Sequence, residues 1–141
     1  MSLSRIAVLD TNVIVSGALK ERSAPAVVIG AALDREIVIV VCPAIVAEYR
    51  DVFARPKFAK FRFPPAWFDR LLIDAMHRPD PVLAHPSDAP DPSDLVFLET
   101  AREVGACVVT GNTKDFPARV RGRVTVCTPT QYADWLFDPN R

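Results

Sequence analysis

The sequence lacks a charge imbalance, a long apolar segment and an export signal. Its 17 basic residues are balanced by 17 acidic ones, so a nucleic-acid partner has to be argued from local features. The longest apolar runs, Ala24–Leu33 and Ile37–Ala47, are shorter than the roughly 18 residues of a membrane span. The N-terminus shows no basic region, long apolar stretch or cleavage site of a signal peptide. We therefore expect a cytoplasmic protein with no membrane partner.

Cysteine and histidine are also scarce. Cys42, Cys107 and Cys127 form no C-x-x-C motif, which argues against zinc and thioredoxin-type chemistry. Each lies at or near the end of an apolar run, so three reduced, buried thiols are expected. His77 and His85 have no metal-ligand spacing to each other or to a cysteine, and we interpret both as non-catalytic.

What the chain does contain predicts one α/β domain over residues 1–141. Its 141 residues suit a single core, and 50% hydrophobic with 24% charged residues is ordinary globular composition. Four β-branched runs are apolar at nearly every position, which is typical of strands buried on both faces of a parallel sheet. These predicted strands are Ile6–Leu9, Ile37–Val41, Ala106–Thr110 and Val124–Cys127.

Helical patterns separate and follow these strands. They are predicted from Pro25 to about Leu33, Pro43 to about Ala54, Pro65 to about Ala75, Asp91 to about Val104, and from Thr130. The segment Pro79–Pro92 holds five prolines and is predicted to be a loop. Alternating strands and helices indicate a mostly parallel sheet with right-handed crossovers.

Four carboxylates are expected at one edge of that sheet. Ligands bind at the carboxyl ends of the strands in an open parallel sheet. Asp10 ends the first strand, and Glu48 lies about one turn into the helix after the second. Asp94 begins the helix that leads into the third strand, and Asp115 follows that strand by five residues. We therefore expect residues far apart in sequence to converge at this edge.

Each acid also has a purely structural interpretation. Asp10 can cap a helix starting near Val13. Asp91 and Asp94 can be the N-cap and N3 residues around a proline, and Asp115 can be a turn residue before Phe116.

Glu48 is the hardest of the four to explain in this way. It lies at the margin of an apolar helical stripe, where a carboxylate needs an arginine partner or a metal.

A hard divalent cation would resolve the repulsion among four close carboxylates. Mg²⁺ and Mn²⁺ prefer oxygen ligands, and such a site can activate water and stabilise a phosphodiester in reaction. The hydroxyl and amide side chains beside the acids can hold waters or fix carboxylate rotamers. These neighbours are Thr11, Asn12, Thr110 and Asn112.

Four segments together resemble the PIN-domain nucleases, the family of VapC-type toxins in bacterial toxin–antitoxin pairs. They are LDTNVIVSG at 9–17, CPAIVAEYRDVFARPKF at 42–58, DPSDLVFLETAREVGACVVTGNTKDF at 91–116 and VTVCTPTQYADWL at 124–136. VLDTN alone occurs by chance, but the set spans nearly the whole chain in the family's order. The resemblance implies a PIN-like three-layer α/β/α sandwich with a sheet of four or five strands. It also implies metal-dependent endoribonuclease activity with Mg²⁺ or Mn²⁺, a homodimer and inhibition by a small antitoxin.

The family's acidic positions map onto Asp10, Glu48, Asp94 and Asp115 as catalytic and metal-binding residues. Asp94 is preferred to Asp91 because apolar residues of the helix face follow it. Many members have aspartate where this chain has Asn112, in the form TGD. TGNTKDF resembles the toxins that place the acid before the phenylalanine, so Asp115 is favoured as the fourth acid.

The segment from Arg55 to Phe63 is the local feature that suits RNA. Its cations are Arg55, Lys57, Lys60 and Arg62, interleaved with three phenylalanines. Cations for phosphates and rings for unstacked bases suit single-stranded RNA, although the rings can equally pack on the core. A second basic cluster, at Arg119, Arg121 and Arg123, is interpreted as a solvated turn.

Two other functions stay open. A strand ending in Asp10 also begins the motif of haloacid-dehalogenase-like phosphatases, but their second acid is Asn12 here. A catalytically silent PIN domain that binds RNA or a protein is the alternative that Asn112 favours. No G-x-G-x-x-G follows the first strand, which argues against a dinucleotide site.

Overall fold

Five short strands form one parallel sheet in the computed structural model, which describes residues 3–83, 91 and 93–140. The strands are β1 (Ile6–Leu9), β2 (Val38–Val41), β3 (Met76–His77), β4 (Cys107–Val109) and β5 (Val126–Cys127). Their order is β3-β2-β1-β4-β5, and each neighbouring pair is parallel. Ala7 of the central strand lies between Ile39 and Cys107.

Seven α-helices surround the sheet in the described part of the chain. They are α1 (Thr11–Leu19), α2 (Ala24–Leu33), α3 (Pro43–Phe53), α4 (Phe68–Ile73), α5 (Asp94–Val104), α6 (Ala118–Arg121) and α7 (Pro129–Phe137). The arrangement confirms the predicted PIN-like three-layer α/β/α fold with a parallel sheet. None of these described helices is long and apolar enough to cross a membrane.

Prolines and polar caps explain where several helices begin. Pro25 is the second residue of α2, and Pro43 is the first residue of α3, positions where a missing N–H costs nothing. α3 receives its cap from a distant segment, because Asp80 accepts a hydrogen bond from Ala44 N over 2.9 Å. α7 begins with a capping box, in which Thr128 and Gln131 satisfy each other's backbone N–H groups.

The core lies on both faces of the sheet. All three residues of β4 are buried, as are the last three residues of β1 and β2. This is the reason the strands are apolar without alternation. Tyr49, Phe68, Phe97, Phe116 and Tyr132 are the largest fully buried side chains. The three cysteines are free and buried, as the sequence predicted.

The structure differs from the predicted elements at short segments. β3 was not predicted because it has only two residues and no β-branched side chain, and the one-turn helix α6 lies within the predicted turn. From the sequence, α1 was predicted only in the structural interpretation of Asp10, as a helix starting near Val13. In the structure it starts at Thr11.

Several predicted boundaries are also wrong. Strands β2, β4 and β5 are shorter than predicted, and α4 ends at Ile73 instead of about Ala75. α5 begins at Asp94, three residues later than predicted, and α7 begins at Pro129. Residues 84–90 and 92 of the predicted loop, with His85, lie outside the described residues.

Candidate active site at the carboxyl edge of the sheet

Asp10 lies where the strand order reverses between the two halves of the sheet. The chain forms β1, β2 and β3 toward one edge and then returns to place β4 on the other side of β1. The crevice at such a switch point is the usual ligand site of an open parallel sheet. Asp10 follows β1 directly, and its N–H donates to Val109 O of β4 over 2.9 Å. The same residue caps α1, which confirms the structural interpretation of Asp10 and is compatible with the functional one.

The Asp10 carboxylate is buried and held by three donors. Thr110 Oγ1 donates to Oδ2 over 2.7 Å and Asn12 Nδ2 donates to the same oxygen over 3.0 Å. Thr11 N donates to Oδ1 over 2.8 Å. Burial raises the pKa of Asp10, and the negative charge of Asp115 raises it further, whereas these hydrogen bonds lower it in part. The carboxylate is therefore held in a fixed position with little water around it, and its oxygens can serve as ligands.

Glu48 reaches the same place from α3. Its Oε2 accepts a hydrogen bond from the Thr11 hydroxyl on α1. Burial raises the pKa of Glu48, and the charges of Asp10 and Asp91 add to this effect. The structural interpretation of Glu48 requires an arginine partner, and the structure provides one only in part. Arg55 lowers the pKa of Glu48 by its charge, but no ion pair within 4 Å joins them among the described residues.

Asp94 is the first residue of α5, which packs against β1 and β4. The pKa of Asp94 is raised to about 7. Burial is the largest cause, and the negative charges of four other acids add to it: Asp10, Asp91, Asp115 and Glu48. The charge of Asp91 reaches both Asp94 and Glu48, so a fifth acid belongs to the electrostatic environment. From the sequence, Asp91 was weighed against Asp94 for the family's acidic position and was otherwise interpreted as a helix cap. Asp91 in fact accepts hydrogen bonds from the backbone N–H and hydroxyl of Ser93.

Asp115 occupies a short 3₁₀ turn, Thr113–Asp115, after β4. Its N–H donates to Asn112 O over 3.1 Å, and Asn112 Nδ2 donates to its Oδ2 over 3.0 Å. Asn112 therefore serves as a donor to Asp115, where an aspartate at position 112 would repel it. The turn interpretation of Asp115 is correct and is compatible with a role in the acid cluster.

The polar neighbours of the acids join the ends of β1 and β4. Asn12 Oδ1 accepts from Gly111 N over 2.9 Å while its amide nitrogen contacts Asp10. Thr110 Oγ1 accepts from Asn112 N over 3.1 Å while it donates to Asp10. A Cβ added at Gly111 would lie 3.2 Å from Asn12 Oδ1, so the backbone approaches this side chain closely.

Tyr49 contributes to the same region in a way the sequence did not signal. Its buried hydroxyl donates to Leu9 O, the carbonyl immediately before Asp10. In the sequence, Tyr49 is visible only as one of the residues at apolar helical spacing in α3. A tyrosine at helical spacing looks the same whether its hydroxyl is satisfied by this strand or by water.

The acids have the donor chemistry of a hard cation site. Within residues 3–83, 91 and 93–140, no three Asp, Glu, His or Cys side chains stand close enough to form a ready-made metal cluster. All four predicted acids nevertheless supply oxygen atoms, and the charges of Asp10, Glu48 and Asp115 each raise the pKa of Asp94. Mg²⁺ typically binds one or two carboxylates and keeps several waters, so a looser acidic cluster fits it. Asp10, Glu48, Asp94 and Asp115 are the residues that would hold the cation.

The basic aromatic segment is partly core and partly surface. Phe58 is buried and packs against Phe61 and Phe63, so the structural interpretation of the rings is largely correct. The four cations of the segment, Arg55, Lys57, Lys60 and Arg62, are exposed. Lys57 and Lys60 lie over the rings of Phe58 and Phe61, with Nζ 5.0 and 5.3 Å from the centroids.

An open groove of about 930 Å³ lies along a different stripe of α3. Pro43, Val46, Ala47 and Arg50 line it from this helix. The four predicted acids do not line this groove. His77 lines it from β3, and its Nε2 lies 2.6 Å from Leu72 O, which ties the ring to the backbone. The groove is therefore separate from the candidate active site.

Comparison with known families agrees with this geometry. A family model described as PIN domain matches residues 6–114, which is more than half of the chain. The match includes Asp10, Glu48 and Asp94 and ends one residue before Asp115. No curated protein matches the chain with significant similarity. PIN domains are in general nucleases and in general use divalent metals. On the basis of this match, the chain belongs to the PIN-domain family.

Proposed function

We propose that this PIN domain is a Mg²⁺- or Mn²⁺-dependent endoribonuclease. The observation that carries the proposal is the convergence of Asp10, Glu48, Asp94 and Asp115 from distant segments onto the switch point of the sheet. Burial and mutual repulsion raise the pKa values of Asp10, Glu48 and Asp94. A fold gains nothing from such repulsion unless a cation or a cationic ligand offsets it.

A divalent cation bound there would activate water and stabilise charge on a phosphodiester. The chain's own residues fix the donors for it. Thr110 and Asn12 orient the Asp10 carboxylate, and Thr11 orients Glu48 across the gap between α1 and α3. Without the cation, burial and the charges of the other acids raise the pKa of Asp94 to about 7, so this carboxyl would release a proton when it binds the cation near neutral pH.

RNA is the substrate that the surroundings favour. Arg55 is exposed and its charge acts on Glu48, so it lies near enough to attract a phosphate toward the acids. Phe61 is 41% exposed and carries Lys60 over its ring, which suits stacking with an unpaired base. The substrate contacts predicted from the sequence are therefore kept in this proposal: Arg55, Lys57, Lys60 and Arg62.

The resemblance to VapC-type toxins extends the proposal to a biological role. The protein would be the toxin of a toxin–antitoxin pair, act as a homodimer in the cytoplasm and be inhibited by a small antitoxin. Three free, buried cysteines fit a reducing compartment. Sedimentation of the purified protein tests the dimer. Co-expression with the protein encoded beside it tests inhibition, since an antitoxin should abolish cleavage.

Cleavage of end-labelled single-stranded RNA tests the enzymatic proposal. The protein is assayed with Mn²⁺, with Mg²⁺ and with EDTA, beside Asp10→Asn and beside Asp51→Asn. Asp51 is an exposed acid on α3, so this matched control removes the same charge away from the site. Metal-dependent cutting that is lost in Asp10→Asn and kept in Asp51→Asn supports the proposal.

Other outcomes favour different explanations. Equal cutting by all three preparations indicates a contaminating ribonuclease. Metal binding without cutting of any RNA favours the silent PIN domain that binds RNA or a protein. Asn112 is the observation behind this second candidate, because many family members carry an acid at that position.

A further inference from the structure

Arg121 contacts the turn that carries Asp115 on both sides of that residue. Its Nε donates to Phe116 O, and its Nη2 donates to Thr113 O over 3.2 Å. From its sequence context, Arg121 was expected to lie in a solvated turn. The structure instead places it on α6, half-buried, with its guanidinium bound to the backbone.

These contacts restrict the position of Asp115. The donors of a guanidinium have a fixed planar geometry, so two of them bound to carbonyls on either side of Asp115 limit how that backbone can move. Phe116 is 1% exposed and anchors the next residue in the core. Asp115 also has no strand or long helix to hold it, since its own turn has three residues.

The helix that carries Arg121 is itself held by α5. Arg102 Nη1 and Nη2 donate to Arg121 O and Val120 O, each over 3.1 Å, at the end of α6. Gly122 ends α6 with a φ of +57°, and a Cβ there would lie 2.6 Å from Arg102 Nη1. Asp94 is the first residue of α5. The helix that carries Asp94 therefore also holds the helix whose Arg121 contacts the turn of Asp115.

We infer that Arg121 is a positioning residue that holds Asp115 in the carboxylate cluster where the divalent cation binds. The inference rests on the proposed function for the identity of the ligand. The geometry itself concerns Arg121, the carbonyls of Thr113 and Phe116, and the side chain between them. Arg121 does not touch the cation or the substrate in this proposal, and it acts only through Asp115.

Calorimetric titration with Mn²⁺ alone is the first test, on Arg121→Met and on Arg119→Met. Arg119 is an exposed arginine of the same short helix, so this control loses the same charge without losing the contacts to the turn. Supporting residues of this kind change metal affinity by about 10- to 100-fold, so we expect that loss for Arg121→Met. Arg119→Met should keep the affinity of the original protein. Equal Mn²⁺ affinity in the two variants would overturn the inference.

A double-mutant cycle shows whether Arg121 acts through Asp115. Asp115→Asn combined with Arg121→Met should bind Mn²⁺ no more weakly than Asp115→Asn alone, because the residue being positioned is already disabled. Losses that multiply in the double variant would show that Arg121 acts independently of Asp115. Arg121→Lys serves if Arg121→Met fails to fold, since it keeps the charge but loses the two-donor geometry.

Amide hydrogen exchange separates this inference from the proposed function. The N–H groups of Asp115 and Phe116 bond to Asn112 O and Thr113 O, and they should exchange faster in Arg121→Met than in Arg119→Met. If the original protein neither binds Mn²⁺ nor cuts RNA, the proposed function fails. The positioning of Asp115 is then still decided by exchange, and equal exchange rates in the two variants would overturn it.

Discussion

Thr110 donates a hydrogen bond to Asp10 Oδ2 over 2.7 Å, although the two residues are 100 positions apart in sequence. The hydroxyl is fully buried and also accepts from Asn112 N. It therefore links the end of β1, the end of β4 and the start of the turn that holds Asp115.

Replacing Thr110 with valine should destabilise the fold and perturb Asp10. The change keeps the shape but leaves the Asn112 N–H without its partner and Asp10 Oδ2 with the Asn12 amide alone, which costs about 1–3 kcal/mol. The pKa of Asp10 should rise further, since the Thr110 hydrogen bond is one of the effects that lower it. Urea unfolding measures the first effect, and carbon-13 NMR titration of the Asp10 carboxyl measures the second. Thr110→Ser, which keeps the hydroxyl, should show much smaller changes, and a matching loss in both variants would refute the role of the hydrogen bond.

The metal-free protein should lose stability as pH rises from about 4 to 7. The pKa of Asp94 is about 7 in the fold against 3.8 as its ordinary value, so the folded state holds a proton that the unfolded chain releases. The raised pKa values of Asp10 and Glu48 act in the same direction. Urea midpoints at pH 5 and pH 8 test this, and Asp94→Asn should flatten the slope between them. A protein more stable at pH 8 than at pH 5 would contradict it.

A divalent cation should reverse that trend. Because a cation binds the ionised carboxylates of the fold, it stabilises the protein by mass action, and more so at pH 8 than at pH 5. Thermal unfolding with and without Mn²⁺ at the two pH values measures the difference. Asp10→Asn should remove most of the stabilisation, whereas Asp51→Asn on the exposed side of α3 should keep it. Equal stabilisation at both pH values would mean that Mn²⁺ and protons do not compete for the same groups.

Two glycines should respond to alanine in opposite directions. Gly105 ends α5 with a φ of +68°, where a side chain is strained even though space is open around it. Gly105→Ala should therefore lower the free energy of unfolding by about 1 kcal/mol. Gly30 lies inside α2 with open space for a Cβ, so Gly30→Ala should raise it by about 0.5–1 kcal/mol. Urea unfolding of the two variants provides the comparison, and the same sign in both would refute the argument from backbone conformation.

The sequence predicted the parts of the fold that repeat a strong pattern. β1 was predicted with its observed bounds, because a run of apolar residues ending in Asp10 is a strong signal for a buried strand. β3 is a two-residue strand that exists only because β2 pairs with it, and no local pattern marks such a segment. The first turn of α5 was predicted to begin at Asp91, but that aspartate hydrogen-bonds Ser93 and α5 begins at Asp94.

The candidate site likewise has parts that the sequence predicts and parts that it does not. The residue types and their order along the strands predict that four acids share one edge, and the charges of Asp10, Glu48 and Asp115 do act on Asp94. Their partners were not predictable, because Tyr49 reaches Leu9 and Arg121 reaches Phe116 through packing that only the folded chain specifies. Arg121 belonged to a cluster of three similar arginines, and sequence alone gives no reason to separate it from Arg119.

Arg55 and Lys57 should affect RNA cleavage in different ways, although both are exposed cations of one segment. The charge of Arg55 lowers the pKa of Glu48, whereas the ammonium of Lys57 lies over the ring of Phe58. Arg55→Gln should therefore raise the pKa of Glu48 and move the acid limb of the pH–rate profile to higher pH. Lys57→Gln should leave that limb in place. Each substitution that removes a phosphate contact should reduce the salt dependence of RNA binding by about 0.7 in the logarithmic slope. Identical pH profiles for the two variants would show that the influence of Arg55 on Glu48 does not reach the reaction.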